Sequence, residues 1–124
     1  MRNNLINGKL VLLVDDDSFA RASLSDLLNW KGFSVLEAGD GRRALEMLKK
    51  IPHFPCLIVL DLAMPVMDGR GFLKRRAQDP ILSSIPVVVV SGNQAPEEPL
   101  PGTDGYLNKP VEVDRLIGLI DQHC

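Results

Sequence analysis

The chain has 124 residues, 45% of them hydrophobic and 24% charged, with a formal net charge of −2. That is enough for one ordinary domain around one core, in a composition that excludes a wholly disordered chain. The charge gives no case for direct nucleic-acid binding, and no apolar run approaches the roughly 20 residues that membrane insertion requires.

Residues 1–8 are polar, end in Asn7-Gly8 and lack a signal-peptide apolar core, so they read as a loose lead-in to a cytoplasmic protein. Leu10-Val11-Leu12-Leu13-Val14 follows as a strand of the fully buried type and runs into Asp15-Asp16-Asp17. Either Ser18 or Asp17 can cap the next helix, in which Ala20, Leu24, Leu27 and Leu28 form one stripe. Gly32 stops that helix, where a left-handed residue is wanted. Residues 33–37 partly alternate, as a half-exposed edge strand would. A second helix then starts at Asp40-Gly41, sets Gly41, Ala44, Leu45 and Leu48 on one face, and is closed by Pro52.

Leu57-Ile58-Val59-Leu60 reads as a central strand of a parallel sheet, and Asp61 stands at its end. Asp68 is a natural cap for a helix over roughly 69–77, whose Arg70, Lys74, Arg75 and Arg76 read as a solvated basic face. Ile85-Pro86-Val87-Val88-Val89-Val90 is another buried strand, ending in Ser91-Gly92. Between 92 and 102 Pro96 suits a helix start, but Pro99 and Pro101 follow too closely for more than about one turn. Tyr106-Leu107 forms a short strand ended by Asn108-Lys109-Pro110, and a last helix carries Val113, Leu116, Ile117 and Ile120. Alternating strands and helices give an α/β class, a parallel sheet with helices on both faces and no second domain. His53 and His123 are isolated and read as surface residues. Cys56 and Cys124 are too few for a disulfide framework and read as two free thiols.

Parallel strands place their ends on one rim, where open α/β sheets hold their sites. That rim gathers Asp15, Asp16, Asp61, Ser91 and Lys109. Each pair of carboxylates at 4 Å repels by about 4 kcal/mol at an effective dielectric near 20. A hard divalent cation removes that repulsion, and Mg²⁺ is suited to one or two carboxylates plus waters and phosphate oxygens. Carboxylate, Mg²⁺, ammonium and hydroxyl together are the parts needed for phosphoryl transfer.

Four stretches carry a resemblance: Val14-Asp15-Asp16 with Arg21 behind it; Leu60-Asp61-Leu62-Ala63-Met64-Pro65-Val66-Met67-Asp68-Gly69; Val90-Ser91-Gly92; and Gly105-Tyr106-Leu107-Asn108-Lys109-Pro110. Together they resemble the receiver domain of two-component response regulators, over essentially the whole chain, 1–124, as a single receiver domain. The resemblance implies a flavodoxin-like, doubly wound five-stranded sheet of order 2-1-3-4-5, here with the fourth helix shortened or absent. It implies that Asp61 accepts a phosphoryl group from a phosphohistidine of a sensor histidine kinase or a histidine phosphotransfer protein. Asp15 or Asp16, with Asp61 and the Ala63 carbonyl, would hold Mg²⁺ or Mn²⁺. Lys109 and Ser91 would bind the phosphoryl oxygens, and Ser91 and Tyr106 would act as switch residues. Lys109-Pro110 resembles the family's cis peptide.

The implied partners are the kinase and a downstream protein effector, with a homodimer as a further expectation; catalysis would be limited to the chain's own phosphorylation and dephosphorylation. Ala63 and Asn93 stand where the family's side chains influence phosphoryl lifetime, and the stretch from Ser91 to Lys109 is shorter than usual. Three other readings compete. The chain could be a receiver cut from a hybrid kinase or larger regulator, or a phosphorylation-independent binding module. A Mg²⁺-dependent phosphohydrolase is disfavoured, because the general acid it wants two residues after the nucleophile is Ala63.

Overall fold

The computed structural model describes residues 9–62, 69–92 and 103–124. The expectations for the lead-in 1–8, the Ala63 carbonyl, the Asp68 cap, Asn93 and the shortened fourth helix lie outside those residues. Within them the order is β1 (Leu10–Val14), α1 (Ser18–Trp30), β2 (Ser34–Ala38), α2 (Gly41–Lys50), β3 (Leu57–Asp61), α3 (Gly69–Ala77), β4 (Val87–Ser91), β5 (Gly105–Asn108) and α4 (Val113–His123). The strands form one sheet of order β2-β1-β3-β4-β5, with every neighbouring pair parallel. This is the expected topology.

The two-residue alternation of strands sorts the core into two layers. Leu12, Val14, Ile58, Leu60, Val87 and Val89 pack with Ala44, Leu45 and Leu48 of α2 and Phe72 and Leu73 of α3. Val11, Leu13, Leu57, Val59, Val88 and Val90 face the other way, onto Leu28 of α1 and Leu116 and Ile120 of α4. All five residues of each of β1, β3 and β4 are buried, which is why they read as unbroken apolar runs. At the edge, β2 buries only Ala38.

Helix boundaries follow local chemistry. Asp17, one of the two cap candidates, accepts from the backbone amides of Phe19 and Ala20 at 3.1 Å each. After α1, Gly32 takes φ 102°, and Phe33 N donates to Leu28 O at 3.0 Å, closing the helix end. Asp40 caps α2 through Arg43 N at 2.8 Å, and Gly41, Ala44, Leu45 and Leu48 are its buried residues, as their spacing predicts.

Several expectations fail. In α1 the buried residues are Ser25 and Leu28, while Leu24 and Leu27 are half-buried and Ala20 is exposed. The helix therefore leans on the sheet by its C-terminal half. Arg76 is not part of a solvated face: it is buried, and its guanidinium donates to the carbonyls of Ser83, at 2.9 Å, and Ile85, at 2.5 Å. It ties the end of α3 to the 3₁₀ turn Leu82–Ser84 and the lead into β4. Burial pulls its pKa below the ordinary arginine value, opposed by the charge of Asp104. His123 is half-buried, with Nε2 enclosed. Finally, Cys56 and Cys124 are not free thiols but a disulfide, with Cα atoms 5.4 Å apart across 68 residues of sequence. No helix among the described residues is long and apolar enough to cross a membrane.

Candidate functional site

The sheet ladder continues one step past the strands at the rim. Asp15 N donates to Ala38 O at 3.1 Å, Leu62 N to Val90 O at 3.2 Å, and Lys109 N to Ser91 O at 2.9 Å. These bonds fix the relative positions of the strand ends, so residues distant in sequence are held by backbone rather than by side-chain choice. Asp61 has the parity of Leu57 and Val59 and lies on the α1 and α4 side of the sheet, buried to 5% exposure.

Lys109 reaches this carboxylate directly. Its Nζ lies 3.1 Å from Asp61 Oδ2 and 3.9 Å from Asp15 Oδ2. Burial works against the ammonium, but the hydrogen bond it donates to Asp61 and the charges of Asp15, Asp61 and Asp16 outweigh it and hold the pKa above the ordinary lysine value. Lys109 is therefore a fixed positive charge at physiological pH.

One carboxylate oxygen from each of Asp15, Asp16 and Asp61 lies within 4.8 Å of the others. Asp15 is half-buried and Asp16 exposed, so the cluster is open to solvent on one side. Burial is the largest influence on Asp15 and raises its pKa, and the charge and hydrogen bond of Asp61 add to it; the Asp17 amide and Lys109 oppose. Asp17 itself is spent on capping α1. The acidic turn is thus two carboxylates at the site and one at the helix start.

Two residues whose roles the sequence did not disclose shape the rim. Arg21 donates from Nε to Glu37 Oε1 at 3.0 Å and from a terminal nitrogen to the Asp15 carbonyl at 2.6 Å, joining α1, β2 and the acidic turn. Gly69 N donates to Leu62 O at 2.8 Å, and a Cβ on Gly69 would stand 2.6 Å from Leu62 Cα and 2.8 Å from Asp61 O. Only glycine lets α3 begin against the end of β3. Both residues sit within the quoted motifs, but their partners are revealed only by the fold.

Ser91 is buried at the end of β4, one step beyond Val90, the partner of Asp61 across the ladder. By parity it lies on the side of Val87 and Val89, and Tyr106 of β5, paired with Val89, packs against that same layer. Asp15, Asp16, Asp61 and Lys109 thus converge, with Ser91 and Tyr106 on the neighbouring strands; Ala63 lies outside the described residues. The Lys109–Pro110 peptide is cis, as the resemblance implied. A cavity of about 410 Å³ opens beside Asp61 and Lys109, walled by Leu24 and Leu27 of α1 and by Val111.

The donor set suits a hard divalent cation: oxygen ligands only, more negative charge than Lys109 balances, and an open side for water or a phosphate oxygen.

The family model described as response regulator receiver domain matches residues 11–121. The two-component response regulator ORR11 of Oryza sativa subsp. indica is 36% identical, covering 89% of this chain and 79% of its own. The chemotaxis protein CheY of Bacillus subtilis is 33% identical over 90% of this chain and 94% of its own. The solved structure of Vibrio cholerae chemotaxis protein CheY4 superposes with a TM-score of 0.80 at 31% identity, covering 93% of this chain and 98% of that one.

Proposed function

The chain belongs to the response regulator receiver domain family of two-component signalling, and we propose that its chemistry is phosphoryl acceptance on Asp61. The observation that carries this reading is the buried Asp61 carboxylate with Lys109 Nζ at 3.1 Å, inside a cluster of three carboxylates.

An Asp61 oxygen attacks the phosphorus of a phosphohistidine, the O–P bond forming as the N–P bond breaks. The imidazole leaves with the bonding electrons and takes up a proton from water. Lys109, held charged, lies on the Asp61 side chain and accompanies the equatorial oxygens as negative charge builds there. Asp15, Asp16 and Asp61 would hold Mg²⁺, with the Ala63 carbonyl as a further ligand. When bound there, the cation would supply charge neutralisation at the phosphoryl oxygens. Arg21 anchors the Asp15 backbone, so the acidic turn need not reorganise during transfer.

The product state is read out through Ser91, whose hydroxyl turns toward the new phosphoryl group, and through Tyr106 on the same side of the sheet. A sensor kinase or histidine phosphotransfer protein is the donor, and a protein effector reads the altered surface. The test is incubation with acetyl phosphate and Mg²⁺ followed by intact mass. Wild type gains one phosphoryl group and Asp61→Asn gains none; equal labelling of the variant contradicts the assignment.

A further inference from the structure

The disulfide lies at the end of the sheet opposite Asp61. Cys56 directly precedes β3, whose other end is Asp61, a strand length of roughly 17 Å away. Cys124 continues the last turn of α4, its amide donating to Ile120 O at 2.7 Å. The bond therefore staples the end of α4 beneath the central strand, and the loop it closes contains Asp61, Ser91 and Lys109.

Three features suit this pair to opening and closing. Cys124 is an exposed residue at the end of α4, on a side of the domain that a small reagent can approach. Cys56 Sγ lies 3.3 Å from Leu10 O, so the reduced thiol has an acceptor waiting and no buried donor is left unpaired. And Leu116 and Ile120 are fully buried above the last turn, so α4 stays docked when the bond is broken.

We propose that Cys56 and Cys124 form a reversible thiol–disulfide site for glutathione-class thiols and disulfides, giving the domain a redox input at the end opposite its phosphoryl site. In oxidation the Cys124 thiolate attacks one sulfur of the small disulfide, forming a mixed disulfide and expelling one thiolate. The Cys56 thiolate then attacks Cys124 Sγ and expels the second. Two electrons pass to the small disulfide, and the two protons from the cysteines end on the two thiols released.

The 124-residue protein is equilibrated in graded mixtures of reduced and oxidised glutathione, alkylated with a maleimide and weighed intact. The expected course runs from two adducts to none, the closed form being lighter by two hydrogens. The chain-entropy effect of closing a long loop predicts that dithiothreitol lowers the oxidised protein's Tm by roughly 10–15 °C. Cys124→Ser should melt near the reduced wild type, ignore dithiothreitol and label normally with acetyl phosphate. Asp61→Asn should respond to redox as wild type does, which separates this inference from the phosphoacceptor reading. Two adducts at every glutathione ratio, a persistent glutathione adduct on Cys124, or a bond that dithiothreitol leaves closed in the folded protein would each overturn it.

Discussion

Replacing Asp15 by Asn should raise stability without metal and lower it with Mg²⁺, a crossover that only a cation site produces. Asp15 feels repulsion from Asp61 within 4.8 Å and attraction to Lys109 at 3.9 Å. At an effective dielectric near 20 these are about 3.5 and about 4 kcal/mol, so they cancel to within about 1 kcal/mol. What remains is the cost of half-burying a carboxylate, on the order of 1 kcal/mol after solvent screening. Asn keeps an oxygen for the Asp17 amide, so the turn itself is retained. In EDTA at neutral pH the variant should therefore melt about 4 °C above wild type, at ~4 °C per kcal/mol for a domain of this size.

The pH dependence has a definite sign. A carboxyl whose folded pKa is raised costs nothing below its unfolded value and costs fully above its folded one. The advantage of Asp15→Asn should thus shrink as pH falls through the raised Asp15 value. Saturating Mg²⁺, at about 100 times Kd, should stabilise wild type by about 2.7 kcal/mol, or ~11 °C, and the variant far less. Scanning calorimetry with and without Mg²⁺ reads all of this. Equal Mg²⁺ responses would refute Asp15 as a ligand; a lower Tm in EDTA would refute the electrostatic argument.

Gly69→Ala places a Cβ 2.6 Å from Leu62 Cα and should cost about 1–3 kcal/mol, seen in urea unfolding, with slower acetyl phosphate labelling because Asp61 O is displaced too. Arg21→Ala should weaken Mg²⁺ binding by calorimetric titration while costing only about 1 kcal/mol of stability, since its Glu37 pair is partly exposed. Arg76→Ala should lose about 3 kcal/mol or more, because Ser83 O and Ile85 O lose a charged donor in a buried place.

The sheet was legible because β1, β3 and β4 are buried on both faces, which leaves unbroken runs ending in polar residues. Asp61 stood out because a charge closing an apolar strand needs a reason, and Lys109 because it stands at a strand end on the same rim. Arg76 misled because it follows Lys74 and Arg75 in sequence, although it falls four residues after buried Phe72 and three after buried Leu73. That spacing was the available signal. The Cys56–Cys124 bond had none: 68 residues separate the pair, and only the strand order, with β3 central and α4 packed on its face, brings them together. The exposure of Ala20 was equally unreadable, since the tilt of a helix on a sheet is set by the far partners and not by its own stripe.

Phosphoryl acceptance on Asp61 is tested most directly by trapping the acyl phosphate. Protein incubated with acetyl phosphate and Mg²⁺ can be reduced with borohydride, which converts an aspartyl phosphate to homoserine, then digested and sequenced by mass spectrometry. Homoserine is expected at position 61 alone, lost when Mg²⁺ is chelated or Lys109 is replaced by Ala. Homoserine at Asp15 or Asp16, or unchanged Asp61 in fully labelled protein, would contradict it.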